Sequence, residues 1–398
     1  MAQVVIVGAG PAGASLAYLL ARNGVEVTLL ERRADFAREF RGEVLMPSGV
    51  DALRQMGLLE KMQGVAHHTA EAIRVYLNRK LIMSLPLQAE DLGGDSIMAV
   101  SQPELLEMLI VECSAYDNFT FLRGAVLREL LHEGERCSGV RVSIDDQQQD
   151  ISANLVVGAD GRNSAVRRTL DFTTREISPP MDIVWCKLPV PEDWRGVRAY
   201  AGHGHLLVAY HTWGDELQLG WVILKGTFGE LRAQGIEQWV DEMANHVTED
   251  FAAHLRANLD AVQRPFLLDA ASECVESWSK PGVLLIGDAA HTMSPVGGQG
   301  LNIALRDAMV AANFLVPALA QSDVDAALLQ IEQQRTPEVH SIQRMQAMPP
   351  KLMLSRAWWG EPLRNAAGYL LSKSGVRGRA AHRVAPFLHG VTEVQLSV

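Results

Sequence analysis

Residues 282–302 carry the side chains whose types and spacing most clearly indicate chemistry, in the sequence GVLLIGDAAHTMSPVGGQGLN. The apolar run 283–286 has the length and composition of a strand that is buried on both faces. Gly287 and Asp288 follow this run, so a carboxylate stands at the carboxyl end of the predicted strand. Ligands of open α/β sheets bind at that end. The sequence therefore predicts a ligand-binding carboxylate at Asp288.

The residues after Asp288 form a loop with little side-chain bulk. Pro295 fixes the backbone, and glycines at 297, 298 and 300 leave it bare, so peptide N–H groups can approach a flat or anionic ligand. Helical apolar spacing begins at Leu301, which places that ligand at a helix N-terminus. Taken alone, the segment could also be a buried strand with a glycine-rich turn, and other segments must decide.

A second motif lies near the start of the chain. Residues 4–31, VVIVGAGPAGASLAYLLARNGVEVTLLE, are typical of a strand, a glycine-rich turn, a helix and a second strand. Gly8 permits the tight turn, Gly10 lets the backbone meet a pyrophosphate, and Gly13 lets the helix pack on the strand. The second strand ends at Glu31, at the distance expected for the acid that binds a ribose 2′-hydroxyl. The pattern predicts a dinucleotide with a free 2′-hydroxyl, as in FAD or NAD.

A third motif lies at residues 155–168, LVVGADGRNSAVRR. An apolar strand again ends in a carboxylate, Asp160, and another helix begins near Ser164. In this order and at this spacing, the three segments resemble the motifs of the class A flavoprotein monooxygenases, the family built like p-hydroxybenzoate hydroxylase. The resemblance covers a large part of the chain and implies that the protein binds FAD.

The resemblance also assigns roles to single residues. The family's flavin-binding arginine corresponds to Arg41, and Gln102 stands near a position where many members have another arginine. Asp288 would hold the ribityl chain, and the amides of Leu301 and Asn302 would stabilise negative charge on the reduced flavin. The candidate FAD-binding residues are Gly8, Gly10, Ala12, Gly13, Glu31, Arg32, Arg41, Gln102, Asp160, Gly287, Asp288, Pro295, Gly298, Gly300, Leu301 and Asn302.

The same resemblance implies the reaction. NAD(P)H reduces the FAD, O2 adds to the flavin at C4a, and the hydroperoxide transfers oxygen to an aromatic or other electron-rich small molecule. Pro295 and Gly298 would position the flavin, and no general base is assigned because the family has no universal one. The chain has no second GxGxxG, which fits a family that binds NAD(P)H only transiently.

Residues 175–275 differ in character, because their apolar runs are β-like and a helical stretch follows at 229–259. The family builds its substrate domain here, over the face of the flavin. Tyr210 and His211 are the candidates for the substrate side. The histidines lack a neighbouring carboxylate or thiolate pattern, so no metal site is predicted. The remaining polar aromatic residues, each better explained by packing or by the surface, are His203, His205, Trp213 and Trp221.

These motifs need particular elements to hold them in place. We expect an α/β fold with a Rossmann FAD domain of the glutathione-reductase type, an inserted mainly-β substrate domain and C-terminal helices. Near Pro337 we expect a break in the helix that covers 334–346. The predicted division is residues 1–174 plus 276–340 for the FAD-binding domain, with 73–100 contributing to the substrate domain, 175–275 for the substrate domain, and 341–398 for the C-terminal helical segment.

Composition excludes some partners. The net charge of -11 argues against nucleic acid, since no basic field would recruit phosphates. The four cysteines are far apart and form no CxxC pair, which favours free thiols in the cytoplasm. Neither a signal peptide nor an apolar stretch of membrane-spanning length is apparent. The locally basic C-terminal segment could contact a membrane surface or form a homodimer.

Two other functions stay open at this point. A reductase of the geranylgeranyl-reductase type would use the same FAD motifs without oxygen transfer, and a non-enzymatic flavin-binding redox protein would need no substrate cavity. The intact GGQGLN loop at 297–302 favours catalysis. A flavin-dependent halogenase would need a catalytic lysine near Lys80 and a WxWxIP signature, which this chain lacks, so we interpret Lys80 as a surface residue.

Overall fold

A computed structural model of the protein describes residues 2–37, 43–87, 96–177, 181–202, 204–262, 265–270, 272–321, 324–353 and 385–398. The candidate residues Arg41 and His203 lie outside these ranges. Over the described residues the strands are β1 (Ala2–Val7), β2 (Val27–Glu31), β3 (Val44–Leu45), β4 (His67–Thr69), β5 (Ala72–Leu77), β6 (Lys80–Pro86), β7 (Met98–Val100), β8 (Phe119–Arg123), β9 (Val126–Glu133), β10 (Arg136–Ile144), β11 (Gln147–Gly158), β12 (Thr174–Glu176), β13 (Met181–Pro189), β14 (Val197–Gly202), β15 (His205–His211), β16 (Glu216–Leu224), β17 (Phe266–Asp269), β18 (Glu273–Val275), β19 (Ser279–Lys280), β20 (Val283–Leu285) and β21 (His291–Thr292). The helices are α1 (Pro11–Arg22), α2 (Pro47–Gln55), α3 (Gln102–Cys113), α4 (Ala165–Thr169), α5 (Phe228–Gln234), α6 (Ile236–Ala244), α7 (Glu249–Ala257), α8 (Gln299–Gln321) and α9 (Val324–Met353).

The first sheet carries the three predicted motifs on neighbouring strands. Its order is β19-β20-β11-β1-β2-β8, and the pairs β20–β11, β11–β1, β1–β2 and β2–β8 are parallel. The strands β1, β11 and β20 therefore end at one edge, where their three following turns meet. Helices α1 and α8 pack against each other beside this sheet. The first half of β11 pairs antiparallel with β10, and β10 with β9, as a β-meander.

A second sheet of seven strands has the order β17-β13-β16-β15-β14-β5-β6. The hairpin β5–β6 thus joins this sheet through β14, a strand that follows β5 by more than a hundred residues along the chain. Alternation along the strands separates two faces. Val184 of β13, Leu207 of β15 and Trp221 of β16 pack with Trp239 of α6 and Phe251 of α7 in one apolar cluster. The opposite face is turned toward the first sheet's motif edge, over a large cavity.

Two long helices complete the fold. The segment 296–321, which includes α8, is long and apolar enough to cross a membrane by length and composition alone, but 67% of its most apolar window is buried inside the protein. It is accordingly a core helix. Helix α9 passes through Pro337 without the predicted break. The C-terminal segment is helical at 341–353 and 385–389, and its last nine residues are irregular.

The predicted α/β class is confirmed by this arrangement of a parallel sheet with flanking helices and a mainly-β second sheet. The domain boundaries at 174/175, 275/276 and 340/341 stay predictions. The predicted contribution of residues 73–100 to the substrate domain also stays a prediction; within that range, β5 and β6 lie in the seven-stranded sheet.

Candidate active site

One cavity of about 1150 Å³ joins the two sheets. A pocket for a single small ligand is usually about 300–1,000 Å³, so this cavity has room for more than one molecule. Its first part, which we call the trough, is lined by the three sequence motifs. Its second part, the chamber, lies between the flavin loop at 295–300 and the seven-stranded sheet. The motifs that are far apart in sequence thus share one space.

The dinucleotide turn is shaped by close backbone approaches. At Gly8, with φ +105°, a Cβ atom would lie 2.5 Å from the carbonyl oxygen of Ala159. At Gly13 a Cβ atom would lie 2.0 Å from the carbonyl oxygen of Gly8, so only glycine lets α1 start this close to β1. Gly10 differs, because its Cβ would meet nothing within 4 Å and would project into open space beside the trough. Ala12 also lines the trough.

Glu31 is the last residue of β2 and is buried in the part of the trough where we expect the adenosine of the cofactor. Its Oε2 accepts a hydrogen bond from the Ala9 amide at 3.2 Å, and its Oε1 accepts one from the Arg33 amide at 3.0 Å. These bonds fix the carboxylate, and a carboxylate has further acceptor positions for a ligand hydroxyl. Arg32 and Arg33 line the same end.

The two carboxylate oxygens of Asp160 differ, because one has hydrogen-bond partners and the other has none among the described residues. Its Oδ2 accepts from the Ala165 amide at 2.6 Å at the start of α4. Its Oδ1 is buried with no hydrogen-bond partner among the described residues, and burial raises the pKa of the Asp160 carboxyl. A buried oxygen without a partner is costly unless a ligand completes it. Asp288, across the trough, lies 3.4 Å from the Arg162 guanidinium.

The flavin loop is strained in a way that favours glycine. Gly297 has φ +74° and Gly298 has φ +61°, a region that side chains with a Cβ avoid. A Cβ on Gly297 would lie 2.8 Å from the Phe387 ring, and one on Gly298 would lie 3.3 Å from Val44. At Gly300 a Cβ would meet nothing within 4 Å. The loop thus packs against Val44 of β3 on one side and against Phe387 of the C-terminal segment on the other.

Asn302 fixes this loop rather than reaching into the cavity. Its side chain is fully buried, accepts from the Met46 amide at 2.8 Å, and donates to the carbonyl oxygens of Val44 and Gly298. Asn302 is not among the residues that line the cavity. Leu301 lines the cavity directly, and so does Gln102, the buried first residue of α3.

The roof of the chamber follows from strand alternation. Ile183 and Trp185 of β13, and Val208 and Tyr210 of β15, face the cavity. The rings of Trp185 and Tyr210 meet edge to face at 82°, with centroids 6.4 Å apart. At Gly220 of β16 a Cβ would lie 3.1 Å from the Trp185 ring, so this glycine lets the indole lie flat on the sheet. The chamber is therefore aromatic and apolar, as an aromatic substrate requires.

Titratable groups line the chamber at one end. The rings of His68 of β4 and His211 of β15 are in contact, with centroids 3.8 Å apart and tilted by 38°. The Nε2–H of His211 donates to the carbonyl oxygen of Gly214 at 2.9 Å, and burial together with the neighbouring His211 lowers the pKa of His68. Burial raises the pKa of Tyr210 well above its ordinary value, so its hydroxyl stays protonated. Burial also raises the pKa of Glu43 to about 8.

Several polar aromatic candidates do not reach the cavity. Trp221 packs on the helix-covered face, where its indole stacks on Trp239 and on His205. A group of His205, Glu242 and His246 has ligand atoms close enough for a metal ion. However, the two imidazoles stack with centroids 3.8 Å apart and an interplanar angle of 21°, so one ion could not lie in both ring planes.

Trp213 and Lys80 also lie away from the cavity. The Lys187 ammonium lies over the Trp213 ring, 5.4 Å from its centroid, and Trp213 does not line the cavity. Lys80 is exposed on β6. A halogenase-like role for Lys80 therefore has no support in its position.

Residues 1–346 match the family whose description is FAD binding domain. The chain is also 32% identical over 385 residues to 6-methylpretetramide 4-monooxygenase from Streptomyces rimosus, a match that covers 96% of this chain and 92% of that protein. The chain belongs to the class A FAD-dependent aromatic monooxygenases. The predicted family is thereby confirmed, and FAD as cofactor with NAD(P)H as co-substrate follows from it.

Solved structures agree with the fold of this monooxygenase. The p-nitrophenol 4-monooxygenase PnpA from Pseudomonas putida superposes with a TM-score of 0.82 at 18% identity, covering 99% of each chain. PqsL from Pseudomonas aeruginosa, in complex with 2-aminobenzoylacetate, superposes with a TM-score of 0.79 at 22% identity, covering 89% of this chain and 97% of PqsL. At such low identity these two comparisons show the fold alone.

The monooxygenase has site residues that the sequence motifs did not reveal. Glu43, His68, Trp185 and Phe387 line the cavity but belong to no fingerprint. The position of Trp185 could have been predicted, because residues i and i+2 of a strand point to the same face and Trp185 follows Ile183 by two. Nothing local marks the other three, since their place depends on long-range packing.

Proposed function

We propose that this monooxygenase hydroxylates a multi-ring phenolic compound bound in the chamber, with FAD bound in the trough. The observation that carries the proposal is the single cavity of about 1150 Å³, whose trough bears the FAD motifs and whose chamber is roofed by an apolar and aromatic sheet face. The name of the relative, 6-methylpretetramide 4-monooxygenase, supports a substrate of this class. No observation in the described residues favours the reductase or the redox-sensor alternative.

The residues of the trough fit FAD. The open space at Gly10 supports a pyrophosphate at this point. The unpartnered Oδ1 of Asp160 supports a nearby ligand hydroxyl group, which can donate a hydrogen bond to it. Glu31 would bind the adenosine ribose, and Asp288 would bind the ribityl chain. The amides at the start of α8 would face the electron-rich edge of the flavin, where a helix N-terminus stabilises negative charge. FAD, when bound, supplies electron transfer from NAD(P)H and the activation of O2.

The chamber would hold the substrate and keep water away from it. Trp185 and Val208 offer a flat apolar surface on one side, and Phe387 with the flavin loop closes the other. A buried phenol in such a space needs polar partners for its hydroxyl groups, because an unpaired polar group in an apolar site is costly. Glu43, Tyr210 and the His68–His211 pair are the described groups that can supply them.

The experiment compares phenols of increasing size with the oxidised holoenzyme. Binding is followed by the change in flavin absorbance, and turnover by NAD(P)H oxidation with analysis of the product. We expect phenols with three or four fused rings to bind more tightly than phenol itself and to be hydroxylated. Binding that weakens as rings are added, with hydroxylation of single-ring phenols only, would contradict the proposed substrate class.

A variant that narrows the chamber sharpens the comparison. Val208→Phe places a ring in the roof and should weaken binding of a four-ring phenol about tenfold, because added volume in a packed site costs about 1–3 kcal/mol. Its effect on a single-ring phenol should be small. Leu224→Phe is the control, since Leu224 is exposed on β16 of the same sheet. Equal losses for both ligands would indicate a general disturbance rather than a narrowed chamber.

We propose further that the enzyme works in the cytoplasm. In support, its four cysteines are buried and unpaired, as in proteins of reducing compartments. A homodimer stays a possibility raised by the sequence, and its test is the mass of the purified holoenzyme in solution.

A further inference from the structure

Glu43 is a buried carboxyl group that no sequence motif explains. It is 8% exposed and lines the cavity. Its Oε2 is buried and has no hydrogen-bond partner within the part of the chain that the structure describes. Natural proteins rarely leave such an oxygen unpaired unless it has a function or a missing ligand. The position of Oε2 therefore points to an interaction with the molecule that occupies the cavity.

The backbone of Glu43 is held between the flavin loop and a strand. Its carbonyl oxygen accepts from the Val100 amide at 2.7 Å. The following residues are fixed by Asn302, which bonds the Val44 carbonyl and the Met46 amide. Because Asn302 also bonds Gly298 of the flavin loop at 2.8 Å, Glu43 has a fixed position relative to that loop. Its carboxyl group is accordingly preorganised where the chamber meets the flavin loop.

The charged and titratable groups around Glu43 come from the roof of the chamber. Lys187 of β13 lowers its pKa and Glu216 of β16 raises it, while burial has the largest effect and raises it to about 8. The Lys187 ammonium is itself bound to the Glu216 carboxylate at 2.6 Å, which limits its effect on Glu43. Tyr210 of β15 faces Glu43 as a neutral phenol. The other titratable chamber groups that are described, His68 and His211, are in contact with each other.

We propose that Glu43 is the proton acceptor for the substrate's phenolic hydroxyl, an inference that rests on the proposed function. In this step the O–H bond of the phenol breaks and its proton moves to Oε2 of the Glu43 carboxylate. The bonding electron pair stays on the phenolate oxygen. A phenolate is a more electron-rich ring than a phenol, and transfer of an electrophilic oxygen to the ring becomes easier. When the hydroxylated product leaves, the proton returns to solvent.

The raised pKa of Glu43 suits this role. A phenol has a pKa of about 10 and an ordinary glutamate one of about 4.3, so an unperturbed carboxylate would be a poor acceptor. With its pKa near 8, Glu43 is much closer to the phenol and is still partly ionised at neutral pH. Efficient general bases have a pKa near the working pH.

The test uses Glu43→Gln, which keeps size and shape and removes the acceptor charge. With a multi-ring phenol that the wild-type holoenzyme hydroxylates, we expect kcat to fall by about a hundredfold or more. A second readout is independent of turnover. For a multi-ring phenol whose pKa in solution matches that of Glu43, the absorbance of the bound phenol should show phenolate in the oxidised wild-type complex near pH 8. The Glu43→Gln complex should show less phenolate, because burial without an acceptor disfavours the charged form of the phenol.

Two neighbouring variants test whether the ionisation belongs to Glu43. Glu216→Gln removes a like charge and should move the midpoint of the phenolate signal to lower pH, whereas Lys187→Met should move it to higher pH. Thermal unfolding of each holoenzyme verifies that the variants are folded. The same two substitutions in the Glu43→Gln background measure the direct effect of these charges on the phenol, and we expect smaller shifts there. Equal shifts in both backgrounds would assign the ionisation to a group other than Glu43.

The outcomes separate this inference from the proposed function. If multi-ring phenols neither bind nor react with the wild-type enzyme, the proposed function fails. If they react, and Glu43→Gln has the wild-type rate, pH profile and phenolate signal, Glu43 is not the proton acceptor although the function stands. A lowered rate with an unchanged phenolate signal would likewise overturn the inference, because ionisation would then come from another group.

Discussion

At Gly10 an added side chain would have free space in the protein without cofactor, but it would collide with bound FAD. A Cβ there meets nothing within 4 Å, so Gly10→Leu should fold normally. With FAD present, the added side chain would meet the pyrophosphate. We expect FAD to bind at least roughly tenfold more weakly, since overpacking costs about 1–3 kcal/mol.

The measurement for Gly10→Leu is FAD affinity by titration of the apoprotein, with the unfolding temperature of the apoprotein beside it. Gly229→Leu is the matched control, because Gly229 is exposed and also has no neighbour within 4 Å of its Cβ position. If Gly10→Leu binds FAD as tightly as the control, the pyrophosphate does not lie beside this turn.

Asp288 is a second residue whose loss should affect the cofactor and not the fold. Its pair with Arg162 is partly exposed, and such pairs contribute about 0–1 kcal/mol to stability. A hydrogen bond to a charged group is worth about 1.5–3 kcal/mol, so Asp288→Ala should raise the dissociation constant of FAD roughly tenfold or more. Asp150→Ala, which removes the partner of Arg141 on an exposed hairpin, should leave it unchanged. Equal affinity in both variants would place the ribityl chain elsewhere.

At this scale the sequence predicted the residues that line the trough better than those that line the chamber. Gly8, Gly13 and Asp160 belong to motifs in which chain geometry and ligand chemistry demand one residue type at one spacing. Glu43 and Phe387 obey no such rule. They line the cavity only because their segments, which are distant in sequence, pack against Asn302 and the flavin loop. Local sequence patterns do not reveal such long-range packing.

Among the elements, the flavin loop connects the trough to the chamber. A Cβ on Gly298 would press on Val44 at 3.3 Å and would adopt φ +61°. We expect Gly298→Ala to displace the loop from the flavin, so that more hydrogen peroxide and less hydroxylated product form per NAD(P)H consumed. The ratio of peroxide to product measures this uncoupling.

Gly24→Ala is the control for the backbone effect of Gly298→Ala. Gly24 has φ +78° with nothing within 4 Å of its Cβ position, so it incurs a similar backbone strain, about 1 kcal/mol, at a site remote from the cavity. The same rise in peroxide for both variants would mean that loss of stability, not loop geometry, causes the uncoupling.

Elements with strong local signals were predicted well. The apolar runs on either side of Asn78 and Arg79 predict a hairpin, and these two residues, both with positive φ, do join β5 and β6. The sequence Trp213-Gly214-Asp215 likewise predicts a turn between two strands, and it joins β15 and β16. The break predicted at Pro337 was wrong. Helix α9 continues because neighbouring residues make buried contacts: Arg335 binds Asp307, and Arg335 and Arg306 bind Glu338. Tertiary contacts can outweigh the loss of one helical hydrogen bond.

For the whole molecule, one buried ionic network joins the motif edge to the end of the chain. Asp307 of α8 accepts from the Gly287 amide at 3.0 Å and pairs with Arg335 and His291. Glu338 of α9 pairs with Arg306 and also accepts from the Val391 amide at 2.8 Å. The network thus holds the turn at Gly287 and the segment around Val391 against the same two helices.

This network predicts how stability depends on pH. Burial alone would raise the pKa of Glu338, but Arg335 and Arg306 lower it to about 2. An unfolded glutamate titrates near 4.3, so the folded protein binds fewer protons between these values. The stabilisation is therefore complete above about pH 4.3 and is lost as pH falls toward 2.

Glu338→Gln is the variant that tests this dependence. We expect it to be less stable than wild type at pH 7 by about 3–5 kcal/mol, since the two buried arginines lose a charge partner. Acidification from pH 5 to pH 2 should then cost it about 3 kcal/mol less than wild type. Glu129→Gln, which removes one of the two carboxylate partners of Arg141 on the surface, should change stability by less than about 1 kcal/mol. Denaturant unfolding at several pH values measures both. If the free energy of unfolding of Glu338→Gln falls with pH as steeply as that of wild type, groups other than Glu338 cause the acid destabilisation.

Hydroxylation of a phenol in the chamber is tested most directly by turnover under isotopically labelled O2. The holoenzyme, NAD(P)H and a multi-ring phenol that stimulates NAD(P)H oxidation are incubated together, and the product is weighed by mass spectrometry. We expect one labelled oxygen atom in the product, none from labelled water, and one NAD(P)H consumed per hydroxylation. A product without the label, or one that instead carries hydrogen from NAD(P)H at a saturated carbon, would contradict a monooxygenase.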